Sequence, residues 1–94
     1  MTPEVQRLLA DEALGVEVER FLSGEAGKRL IAQLEHDRAA AVERLVGIDA
    51  EDPRAIRAIQ NEIAAIDRFQ QGLGDMLTAA RGAIARLDQL AQDD

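Results

Sequence analysis

His36 is the only histidine in this 94-residue chain, and histidine is the side chain whose ordinary charge change falls nearest neutral pH. Glu35, Asp37 and Glu43 are the carboxylates that could join it in metal binding or acid–base chemistry. On a helix, side chains three or four apart share a face. Glu35 and Asp37 adjoin His36 and so point to other sides, which makes a shared site awkward. A solvated or partner-facing polar turn is the expected role of Glu35-His36-Asp37-Arg38.

Asp49, Glu51 and Asp52 form an acidic loop. A calcium loop needs more oxygen ligands at set alternate positions and a glycine among them, and this stretch has neither. Asp52 is better read as a helix cap, because it precedes Pro53 and can accept a hydrogen bond from a free amide of the first turn. Lys28, Arg29, Arg54 and Arg57 are the densest basic positions by sequence. They fall on different predicted helices, are diluted by acids and have no stacking aromatics beside them, so ordinary surface charge explains them better than a nucleic-acid surface. No serine or threonine stands in a recognisable order with a histidine and an acid, and no strand leads into a glycine-rich phosphate loop. The sequence predicts a non-enzyme, with no catalytic residues, cofactor or metal.

The composition points the same way. Eighteen acids against eleven bases give a net charge of −7. The excess is spread over both halves, so phosphate-backbone binding lacks its usual driver and anionic membranes are disfavoured. There are no cysteines, which removes disulfides and thiolate metal sites. No apolar run approaches the ~20 residues that span a bilayer. The N-terminus shows no signal-peptide pattern, so the expected location is the cytosol of the cell that makes the protein. Two phenylalanines are the only aromatics, and much of the 47% apolar content is alanine. That is a composition for helices.

The elements follow from punctuation and period. Thr2-Pro3-Glu4 is a good helix start, and Val5, Leu8, Leu9, Leu14, Val18, Phe21 and Leu22 continue an apolar face at helical spacing. Gly15 weakens that helix and predicts a bend over residues 10–15. Ser23-Gly24 breaks the chain, with Gly24 ending the first helix and Ser23 capping the next. The second helix carries Ala26, Leu30, Leu34, Ala41 and Leu45, with Ile31, Val42 and Val46 alongside. Gly47 to Asp52 is a turn.

From Pro53 onward the pattern is the most regular in the chain. Ile56, Ile63, Gln70, Leu77, Ile84 and Ala91 form one heptad position. Ile59, Ile66, Leu73, Ala80 and Leu87 form the other, and Phe69, Met76, Ala83 and Leu90 widen the stripe. Sustained heptads of this kind argue for a long helix in a coiled-coil-like seam, about 58 Å long over residues 53–91. Gly72 and Gly74 mark either a kink or a close approach of another backbone.

The prediction is a single all-α domain over residues 1–94. It is a helical hairpin whose broken first arm (residues 3–22 and 24–46) runs antiparallel to the long helix (53–91). Leu45 and Ile48 are expected near Ile56 and Ile59, and Leu14 and Val18 near Ile84 and Leu87. Such a hairpin leaves part of its stripe uncovered, so a homo-oligomer or a place in a larger assembly is expected. The predicted protein-interaction residues are Phe69, Leu73, Met76, Leu77, Ile84 and Leu87.

Several short motifs occur in a characteristic order: Phe21-Leu22-Ser23-Gly24-Glu25-Ala26-Gly27-Lys28-Arg29-Leu30, then Asp49 to Pro53, then Ile59-Gln60-Asn61 and Phe69. In this the chain resembles, over residues 13–82, a family of short uncharacterised proteins from tailed bacteriophages and prophages. Relatives often carry a tryptophan where this chain has Gly72. The resemblance brings no activity. It implies a phage protein from the head-and-tail morphogenesis genes, found in the host cytoplasm or the virion, with itself or phage structural proteins as partners. A small acidic inhibitor of a host defence or host enzyme is the alternative, since compact acidic proteins can block nucleic-acid-binding grooves by charge mimicry.

Overall fold

The computed structural model describes residues 1–93 as three helices: α1 (Pro3–Ser23), α2 (Glu25–Val46) and α3 (Pro53–Gln92). Among the described residues there is no strand. The architecture is the expected all-α hairpin, with both short helices packed on the long one.

Local chemistry sets the boundaries. The Thr2 hydroxyl accepts from the Val5 amide at 3.2 Å and Pro3 occupies the first turn. The Asp52 carboxylate does the same for the Ala55 amide at 3.1 Å, again followed by proline. Each cap satisfies one of the amides that a helix start leaves without an intrahelical partner. The Gly47 amide donates to the Glu43 carbonyl at 3.1 Å to close α2.

Gly24 joins α1 to α2 as a single extended residue, φ −81° and ψ 163°. Ser23 does not cap α2 as expected. It is the last residue of α1, and its hydroxyl donates back to the Glu19 carbonyl at 2.8 Å. A Ser hydroxyl inside a helical turn reaches the carbonyl four residues back more readily than the next helix's amides. Gly24 is therefore the N-cap of α2, with no side-chain bond.

Two glycines are required by close approach. A Cβ on Gly27 would run into the Phe21 carbonyl, so α2 begins flush against the end of α1. A Cβ on Gly15 would run into the Ala80 side chain. The predicted bend over residues 10–15 is absent, because α1 is continuous from Pro3 to Ser23. Gly15 instead lets α1 and α3 cross almost backbone to backbone. The reverse holds for Gly72 and Gly74. An added Cβ at either would meet open space, and α3 runs unbroken through both. Packing along the rest of the helix outweighs a local cost of about 1 kcal/mol per glycine.

Ion pairs fix the register. Glu4 meets Arg86 at 3.0 Å, Arg38 meets Asp67 at 2.7 Å and Arg44 meets Glu62 at 2.7 Å. With Gly15 lying against Ala80 as the second α1 contact, both short helices run antiparallel to α3. The stretch from Gly15 to Arg38 is about 34 Å of helix, whereas Ala80 to Asp67 is about 20 Å. The first arm cannot be straight over this span, and it turns at Gly24.

The interior is thin. Its buried apolar side chains are Leu8, Val18, Ile59 and Ile66 with Ala41, Ala80 and Ala83, and among the described residues no large side chain is fully buried. The molecule measures 64 × 28 × 16 Å, with a radius of gyration of 19.1 Å, where a compact chain of this length would have about 12 Å.

Candidate protein-interaction surface

The residues suited to chemistry do not converge. His36 and Glu35 are exposed on α2, and Asp37 accepts from the Gln33 amide at 2.8 Å. Two of the three loop acids serve the backbone: Asp52 caps α3, and Asp49 accepts from the Glu51 amide at 2.9 Å. Lys28, Arg29, Arg54 and Arg57 are exposed on separate helices. Among the described residues no group of three or more His, Cys, Asp or Glu side chains is placed to hold a metal ion. Nor, among the described residues, is any helix long and apolar enough to cross a membrane. A shallow hollow beside Asp67 is lined by Ala64, Asp67, Arg68 and Gln71. All four stand on α3, so the hollow does not enclose a ligand.

Electrostatics is most developed at the Arg38–Asp67 pair, which joins α2 to α3 through two hydrogen bonds. Hydrogen bonding to Arg38, aided by its charge, holds the Asp67 carboxyl below the usual carboxylate range. The same hydrogen bond and charge raise the Arg38 guanidinium. Both side chains remain nearly half exposed, and the pair acts as a clasp at the surface.

The apolar residues are more telling. Of the six predicted interaction residues, Phe69, Met76 and Ile84 are exposed at 44%, 39% and 45%. Leu73, Leu77 and Leu87 are half-buried. The expected single stripe is divided. At 100° per residue, Ile84 is turned about 40° to one side of Ala80, and Met76 about 40° to the other, with Phe69 on the Met76 side. α1 passes over Ala80 between them.

The covered side of α3 changes along its length. Toward the C-terminus of α3, Ala83 is buried and Leu87 and Leu90 half-buried while Ile84 is open. Toward the middle, Leu73 and Leu77 are half-buried while Met76 and Phe69 are open. Leu14 and Ile84, expected to lie together, are both exposed. Gly15 rather than Leu14 occupies the crossing, which turns Leu14 about 100° away from α3.

α1 adds apolar residues that periodicity along α3 could not indicate. Leu14 lies to one side of Gly15, and Val16 and Leu9 to the other. In an antiparallel pair of right-handed helices, the side bearing Leu14 is the side bearing Met76, and the side bearing Val16 is the side bearing Ile84. Two exposed apolar faces flank the crossing of α1 and α3, separate from the exposed Leu30, Val42 and Val46 on α2. One is built from Phe69, Met76 and Leu14, with half-buried Phe21 on the same flank. The other is built from Ile84, Leu9 and Val16.

The accessible surface is 7019 Å², while a compact monomer of this mass exposes about 5,300 Å². Compared with known protein families, curated proteins and solved structures, the chain shows no match.

Proposed function

We propose that this protein is a non-enzymatic phage structural or assembly protein that works by burying exposed apolar side chains against protein partners. The observation that carries the contact-based reading is the pair of open faces on a thin interior. Large residues such as Phe69, Met76 and Ile84 remain in water, while among the described residues no large side chain is fully enclosed. Exposed apolar patches of this kind mark association surfaces, and burial against a partner gains about 25 cal/mol per Å² of apolar area. The phage assignment is supported by the resemblance over residues 13–82 alone. Under it, the partners are copies of the chain or phage structural proteins in the host cytoplasm or virion, with no direct role for nucleic acid or membrane.

The test is mass spectrometry of purified particles and of infected-cell lysate from a phage carrying this gene. Presence in particles at many copies, or bound to phage structural proteins in lysate, is the expected result. Recovery solely in complex with a host enzyme or defence protein would favour the second reading, a small acidic inhibitor. That reading draws support from the net charge of −7.

A further inference from the structure

We infer that the Phe69–Met76–Leu14 face is the contact between two copies of this chain. The inference rests on the contact-based reading above and names its first partner. The exposed surface exceeds that of a compact monomer of 10.2 kDa by roughly 1,700 Å². A standard interface buries about 800 Å² on each partner, so one isologous contact fits within that excess on both copies. A second copy is also the one partner available wherever the chain is made, and two-fold pairing is the commonest closed arrangement.

The choice between the two faces follows from residue type. Phenylalanine and methionine are enriched at interfaces, and this face holds Phe69 and Met76 exposed, with Phe21 half-buried beside them. The opposite face is carried by the aliphatic Ile84, Leu9 and Val16.

Charge gives the pairing a signature. Each copy carries −7, so two copies repel at long range while apolar burial holds them. Added salt screens the repulsion and tightens the pair. Binding to a basic partner would weaken in salt.

Sedimentation equilibrium of the full-length chain across the micromolar range, at low and high salt, tests this. The expected result is a concentration-dependent rise from 10.2 kDa to twice that mass, with a smaller Kd at high salt. Phe69→Asp and Met76→Asp should each weaken pairing about thirtyfold or more while helicity by circular dichroism is kept. Ile84→Asp should leave pairing intact. Should one of the first two fail to fold, the other supplies the result.

A chain that stays monomeric throughout would overturn the inference. So would pairing that survives Phe69→Asp and Met76→Asp in folded protein, or pairing lost in Ile84→Asp alone. A monomer found at many copies in virions would sink this contact and spare the assembly role. A stable pair absent from every phage complex would do the reverse.

Discussion

Gly15→Ala is the sharpest test of the helix crossing. The new methyl would overlap the Ala80 side chain. To bring the two carbons to ordinary contact, α1 and α3 must separate by roughly 1–2 Å. Overpacking of this kind costs about 1–3 kcal/mol, against a gain of about 1 kcal/mol from replacing glycine in a helix. Gly72→Ala provides the control, because its added Cβ meets nothing within 4 Å and it receives a comparable helical gain. The difference between the two variants therefore isolates the overpacking cost, about 1–3 kcal/mol in favour of Gly72→Ala. Urea denaturation followed by circular dichroism, at one fixed protein concentration so that association does not intrude, reads that difference. Adding Ala80→Gly to Gly15→Ala should recover much of the loss, as expected for residues in contact. If Gly15→Ala is stabilised as much as Gly72→Ala, the helices do not cross at these residues.

Other outcomes follow from the same packing. Gly27→Ala should destabilise by at least 1–3 kcal/mol in thermal melts, since its Cβ would meet the Phe21 backbone, which a side-chain rotation cannot relieve. Asp52→Ala should cost about 0.5–2 kcal/mol of stability in urea titrations, and Asp52→Asn should restore most of it because it keeps the capping oxygen. Asp67 has a folded-state pKa below its unfolded value, so its stabilising effect is full above the usual carboxylate range and is lost as pH falls through the lower folded value. Asp67→Asn should therefore flatten that part of an acid-unfolding curve by the same amount of stability that it removes at neutral pH, a small one because the pair is solvent-exposed.

Much of the fold is legible in the residues because local rules and the global arrangement agree. Thr2-Pro3 and Asp52-Pro53 start helices in the sequence and in the structure. Ile59 and Ile66, on one heptad row, are buried. The glycines were harder to read. By propensity alone Gly15, Gly72 and Gly74 are equivalent weak points. Only the position of the neighbouring helix shows that Gly15 is a contact and the other two are not. Alanine hides information in the same way, since Ala41, Ala80 and Ala83 are among the most buried residues while counting little toward any hydrophobic pattern. Small side chains matter where backbones come close, a property of two helices together.

The candidate interaction surface is partly legible for a related reason. Heptad spacing identifies the side of α3 on which Phe69, Met76 and Ile84 lie, but it carries no information on the path of α1 across that side. Passage of α1 over Ala80 divides the stripe into two faces, and each is completed by α1 residues outside the long helix's pattern.

α3 is one unbroken rod from Pro53 to Gln92, and both faces are set along it. Spin labels on exposed Arg54 and Gln89, diluted with unlabelled protein and measured by pulsed dipolar spectroscopy, address this directly. A straight helix predicts a single narrow distance near 52 Å, about 1.5 Å per residue. A broad distribution, or a separation shortened by 10 Å or so, would mean that the helix breaks at Gly72-Gly74 and would contradict the account.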